Sequence, residues 1–146
     1  MKKLMIIIFW CISIGSSYAN TLAPFTSDGC SLFPDGTYTQ PTQWLHCCQA
    51  HDFDYWQGGT QSQRTASDRR LQHCINQVAP TGLGFMMFYG VQLGGSPIWP
   101  TSFRWGYGWP FARDYAPLGV GEQQQVNHHK AVYCDTNTSI ICIDPN

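Results

Sequence analysis

The side chains best equipped for chemistry lie within nine residues: Cys47-Cys48-Gln49-Ala50-His51-Asp52-Phe53-Asp54-Tyr55. At helical spacing Cys47, His51 and Tyr55 stack along one face, and Cys48 and Asp52 form a second row beside them. The imidazole can serve as a base near neutral pH. The adjacent carboxylate suits a hard cation. With His46, the segment also offers a zinc set of His46, Cys47, Cys48 and His51. Adjacent thiols on one helix, however, make a poor tetrahedral cluster.

Two helices must position these groups. The first is expected to start after Pro41, with Thr42 as N-cap, and to end at Gly58-Gly59. The second opens on Thr60-Gln61-Ser62-Gln63, a capping-box pattern. Its apolar positions Leu71, Cys74, Ile75 and Val78 follow helical periodicity up to Pro80. Asp68, three residues before Leu71, falls on the buried stripe, whereas Arg64, Arg69 and Arg70 are read as lying mostly off it. A buried carboxylate needs a partner. If the helices run antiparallel through a Cys47–Cys74 bridge, that partner is His51. The displacements from the bridge, about 6 Å along one helix and about 9 Å along the other, run the same way.

The chain opens Met1-Lys2-Lys3, then an apolar run from Leu4 to Ile14, then Ser17-Tyr18-Ala19. A basic start, a short apolar stretch and a small-x-small site read as a secretory signal peptide over residues 1–19. The run is short for a transmembrane span. Residues 20–146 then form one domain, secreted or periplasmic. They carry six Lys and Arg against nine Asp and Glu, a net charge of −3. No basic stripe points to nucleic acid. Nor would net charge draw the protein to an anionic membrane.

Removing Cys11 with the leader leaves six cysteines, an even set that suits three disulfides in an oxidising compartment. Cys134 and Cys142 flank the turn-like Asp135-Thr136-Asn137-Thr138-Ser139 and are expected to clasp a small C-terminal hairpin. Cys30 and Cys74 remain for Cys47 and Cys48. These helix neighbours point about 100° apart and so reach different partners.

Elsewhere, residues 20–41 read as an irregular loop with a turn at Pro34-Asp35-Gly36. Residues 83–93 are apolar on nearly all sides and read as a third, buried helix, which Gly84 and Gly90 either weaken or allow to pack closely. Residues 94–119, rich in Gly and Pro, read as a long loop. Its tryptophans either form a lipid-contacting surface or cover the core. Residues 123–129 show no assignable pattern.

The motif Cys-Cys-x-x-His-Asp-x-x-Tyr, Cys47 to Tyr55, resembles the active-site helix of secreted phospholipase A2. The likeness extends to Asp68 six residues before Cys74, and spans roughly residues 28–78. It implies a mainly α, phospholipase A2-like fold: two disulfide-linked antiparallel helices carrying the active site, a third helix, irregular loops and the hairpin. It implies the bridges Cys30–Cys48 and Cys47–Cys74, beside the expected Cys134–Cys142. It also implies Ca²⁺-dependent hydrolysis of a glycerophospholipid acyl ester at a phospholipid membrane surface. His51 would be the general base, Asp68 its orienting acid and Tyr55 a support for Asp68. Asp52, with carbonyls of Gly29, Ser31 and Phe33, would hold the ion. The animal enzymes carry a cysteine pair where this chain has Asp54 and Ser67, and their loop around the Cys30 position is shorter and richer in glycine. With its short signal peptide, the chain resembles a divergent prokaryotic member. An alternative on the same scaffold is a non-catalytic module that binds lipid or protein.

Overall fold

The computed structural model describes residues 20–143. The expected signal peptide, residues 1–19, lies outside them. The described residues are mainly helical and contain no strand. Five helices follow in order: α1 (Leu45–Gln57), α2 (Gln61–Val78), α3 (Leu83–Gly94), α4 (Val120–Thr136) and α5 (Ile140–Ile143). None is long and apolar enough to cross a membrane.

α1 starts later than expected. Its N-cap is Trp44, without a side-chain cap bond, and not Thr42. Trp44 is buried, its indole N–H donates to the Pro34 carbonyl, and its backbone N–H donates to the Asp35 carbonyl. Those anchors hold residues 41–44 in a tighter turn ahead of the helix. The C-terminal stop is Gly58, at φ 69°, with its N–H on the Asp54 carbonyl. The capping box at Thr60 and Gln63 is present, and α2 ends at Val78 as read.

α1 and α2 run antiparallel. Cys47 faces Cys74, Asp54 faces Ser67, His51 faces Asp68 and Tyr55 faces Arg64, so number rises on one helix as it falls on the other. α1 is buried on two sides. Cys47 and Cys48 pack with Trp44, Leu71, Ile75 and Met87. Phe53 and Trp56 pack with Leu22, Phe25, Trp109, Val126 and Ile141. Three disulfides join Cys30–Cys48, Cys47–Cys74 and Cys134–Cys142, a set that fits an oxidising compartment.

α3 departs from its expectation of all-round burial. Gly84 and Met87 are buried, but Phe85, Met86, Tyr89 and Leu93 face solvent. Gly84 permits close packing on α2: a Cβ there would sit 2.6 Å from the Gln72 carbonyl oxygen.

The tryptophans of the long loop divide. Trp105 and Trp109 are buried and donate to the Gly59 and Gln57 carbonyls, which ties the loop over the end of α1. A lipid-contacting role for those two is therefore corrected; only Trp99 is half exposed.

The expected small C-terminal hairpin is a pair of helices, α4 and α5, which the Cys134–Cys142 clasp closes around a short turn. The amide of Asn137 caps the Tyr133 carbonyl. α4 carried no legible pattern because only Val126 is buried on it. Tyr133 also packs on the core, and polar anchors add to these contacts: Gln125 accepts from the Leu22 N–H and donates to the Asn20 carbonyl.

Candidate functional site

His51 and Asp68 meet in the seam between α1 and α2. His51 Nε2 lies 2.8 Å from Asp68 Oδ1, and Asp68 is 0% exposed. The carboxylate accepts, so Nε2 carries the proton and Nδ1 keeps the lone pair. Tyr55, one turn beyond His51, donates its hydroxyl to the same Oδ1 at 2.8 Å. Burial, then the Asp68 charge, pushes the Tyr55 phenol well up, so it stays a donor.

Two partners of Asp68 were not foreseen. The amide of Gln92, from α3, donates to Oδ2. Arg64, read as lying off the buried stripe, is buried on it, with Nε 3.9 Å from Oδ2. The signal was present in the spacing: residues 64 and 68 are one helical turn apart. Arg64 also donates to the Tyr55 hydroxyl (3.0 Å), the Tyr115 hydroxyl (2.6 Å) and the Val91 and Gln92 carbonyls (both 2.8 Å). Those carbonyls belong to the last turn of α3, where a cation is favoured. Burial opposes the guanidinium charge, but the two tyrosine oxygens outweigh it and hold its pKa up.

Asp52 faces the loop of residues 26–33. Ser27 donates to Asp52 Oδ2 at 2.6 Å and receives the Gly29 N–H at 3.1 Å. Asp35 accepts the Cys30 N–H at 2.8 Å and so fixes the loop from below. Burial raises the Asp52 carboxyl to about 7. The Ser27 bond works against this, and the charges of Asp28 and Asp35 add to it. The expected loop residues Gly29, Ser31 and Phe33 share one cavity wall with Ser27 and Asp28, and His51 and Asp52 line the same cavity. Ser27, Asp28 and Tyr107, whose hydroxyl donates to the Thr26 carbonyl at 2.6 Å, were missed. A Ser two residues before a loop glycine is the one local cue for Ser27.

The cavity holds about 690 Å³, within the range of small-molecule sites. Leu71, Met86, Met87, Val91 and Phe103 supply much of its apolar lining. Gly95 makes room for the Tyr55 ring, since a Cβ there would come within 2.6 Å of the hydroxyl.

The zinc set is not available. Cys47 and Cys48 are both in disulfides. His46 Nε2, at 3.5 Å from Cys47 Sγ and 3.6 Å from Cys74 Sγ, contacts a disulfide and not a pair of thiolates. No family model, curated protein or solved structure matches this chain.

Proposed function

We propose that this chain is a phospholipase A2-like carboxylic ester hydrolase, secreted or periplasmic, that cleaves an acyl ester of a glycerophospholipid with Ca²⁺ as cofactor. The observation that carries the reading is the buried His51–Asp68 pair at 2.8 Å, supported by Tyr55, beside an apolar cavity that Asp52 also lines. A second support is the Ser67–Asp54 hydrogen bond of 2.7 Å. It joins the two positions where the animal enzymes of that family carry a cysteine pair.

In this reaction His51 Nδ1 takes a proton from a water whose oxygen bonds to the ester carbonyl carbon. Asp68 holds the ring in the tautomer that leaves Nδ1 free and stabilises the imidazolium that forms. The imidazolium then returns the proton to the departing glycerol oxygen, releasing a fatty acid and a lysophospholipid. Tyr55, Gln92 and Arg64 keep the carboxylate from turning. The apolar walls accommodate an acyl chain and limit water.

The donor set fits a hard cation. Asp52, Ser27 and Asp28 supply side-chain oxygen, and residues 20–63 contain no Lys or Arg. Burial, with the charges of Asp28 and Asp35 added to it, holds the Asp52 carboxyl up. Asp52 with the carbonyls of Gly29, Ser31 and Phe33 would hold Ca²⁺. Bound there, the ion would polarise the ester carbonyl and offset negative charge on its oxygen.

The test is fatty-acid release from phosphatidylcholine vesicles, with and without chelator, for the wild type and His51→Gln. Release that needs Ca²⁺ and falls about 10²- to 10⁴-fold in the variant is expected. Release unchanged by chelator, or none from the wild type, would reject the reading.

A further inference from the structure

His46, on the first turn of α1, is half-buried against the Cys47–Cys74 bridge. Its Nε2 lies 3.5 Å from Cys47 Sγ and 3.6 Å from Cys74 Sγ. Around a tetrahedral Zn²⁺, nitrogen at about 2.0–2.1 Å and sulfur at about 2.3 Å stand about 3.6 Å apart. The imidazole therefore already holds the spacing of a zinc ligand toward both sulfurs. Only the two sulfurs are too close, because they are bonded to each other. Parted, they would need about 3.8 Å. With their Cα atoms 5.7 Å apart, side-chain rotation supplies that separation. The bridge is open to attack from one side: Cys47 is 2% exposed, whereas Cys74 is half-buried. Cys30 and Cys48, the other pair that reaches α1, are both buried.

We infer that the Cys47–Cys74 bridge, when reduced, becomes a Zn²⁺ site made of two thiolates and the His46 imidazole. A dithiol, the class of reductant that rearranges disulfides in oxidising compartments, opens it. One thiolate of that reductant attacks Cys74 Sγ, the Cys47–Cys74 bond breaks, and Cys47 leaves as a thiolate. The reductant's second thiol then displaces Cys74, so the reductant closes to its own disulfide and both cysteines are reduced. Zn²⁺ takes the two thiolates, and their protons pass to solvent. The two thiolate charges cancel that of the ion. A neutral centre suits the apolar cluster of Leu71, Ile75 and Val78 in which the bridge packs. Sulfur and imidazole select Zn²⁺ over the hard cations that carboxylate and carbonyl oxygen prefer. A water would take the fourth position. The ion would tie α1 to α2 in the reduced chain as the bridge does in the oxidised one. The site shares no ligand with the Asp52 loop and does not depend on the hydrolase reading.

The experiment titrates Co²⁺ and then Zn²⁺ into protein carrying Cys134→Ser/Cys142→Ser, which removes the other bridge with half-buried sulfurs. The protein is first treated with a dithiol, and alkylation with mass spectrometry identifies the bridge that opens. Cys47–Cys74 is expected to open ahead of Cys30–Cys48. The reduced protein should then bind one Co²⁺ per chain with a thiolate-to-cobalt charge-transfer band, release two protons per ion at neutral pH, and lose the band as Zn²⁺ displaces the cobalt. His46→Ala should weaken binding about tenfold or more, and the oxidised protein should show no such band. Circular dichroism follows the fold. If reduction unfolds the chain, Zn²⁺ is expected to restore its helix, at higher concentration in the His46→Ala variant. Opening of Cys30–Cys48 first, absence of the band, undiminished affinity in His46→Ala, or helix that Zn²⁺ fails to restore would overturn the inference. So would equal affinity in denaturant, the mark of two flexible thiols without a built site.

Discussion

Ser67 Oγ donates to Asp54 Oδ2 at 2.7 Å, one residue before the Tyr55–Asp68 bond on each helix. The two bonds form adjacent rungs between α1 and α2. Arg70, largely exposed, reaches the same Asp54 oxygen at 2.7 Å. This polar rung stands where the resembled animal enzymes have a covalent one.

The first prediction follows. The double variant Asp54→Cys/Ser67→Cys should oxidise to a fourth disulfide. Closing a loop of 13 residues would raise stability by about 3 kcal/mol. Thiol titration and thermal unfolding check it. Two persistently free thiols would show that the α1–α2 geometry is not that of the resembled family.

Arg64 is the second target. Its replacement by Met leaves the buried Asp68 without its nearest guanidinium and releases the Val91 and Gln92 carbonyls. Breaking a buried pair from one side should cost about 3–5 kcal/mol. Arg64→Lys should recover only part, because one ammonium cannot reach both tyrosine hydroxyls and both carbonyls. Denaturant unfolding of the three proteins gives the comparison.

Asp52 yields a pH prediction. Its carboxyl titrates at about 7 in the folded chain, against the ordinary aspartate value of 3.8 that applies once the chain unfolds. Between those values the folded state binds one more proton than the unfolded state, so stability falls as pH rises. Without Ca²⁺ the protein should lose on the order of 4 kcal/mol across that window. Asp52→Asn should flatten the profile. Ca²⁺ should restore stability at a pH of about 7.5, just above that window, in the wild type but not in the variant. A wild-type profile that rises across the same window would contradict the assignment.

The disulfides should rank by the chain they enclose. Removing Cys47–Cys74, with a separation of 27 residues, should cost about 3.5 kcal/mol. Removing Cys134–Cys142, with a separation of 8, should cost about 2.5 kcal/mol. The first loss should also lower hydrolysis of a monomeric ester, because that bridge lies one helical turn from His51. The second should leave it near the wild-type rate. Double Cys→Ser variants assayed for both quantities decide this.

Much of the α1–α2 frame was legible because its determinants are local. Helical phase puts His51 and Tyr55 on one face of α1 and Asp68 on the buried stripe of α2, the glycines at 58–59 stop α1, and Thr60 with Gln63 caps α2. The Cys47–Cys74 and Cys30–Cys48 pairings came from resemblance, and the structure carries both bonds. What stayed hidden depends on partners distant in sequence or on contacts without periodicity. α4 sets Val126 and Tyr133 on the core and adds Gln125 amide bonds, too few apolar positions to form a legible stripe.

The sequence by itself determined which residues could do chemistry and the helical phase on which His51 and Asp68 could meet, since phase follows from backbone geometry alone. Only the tertiary structure decided what surrounds them. Gln92 and Arg64 on Asp68, Ser27 on Asp52, Trp105 and Trp109 inside and α3's apolar face outside all depend on which segments pack together. Burial and hydrogen-bond satisfaction are settled by that packing, and one-dimensional spacing does not encode it.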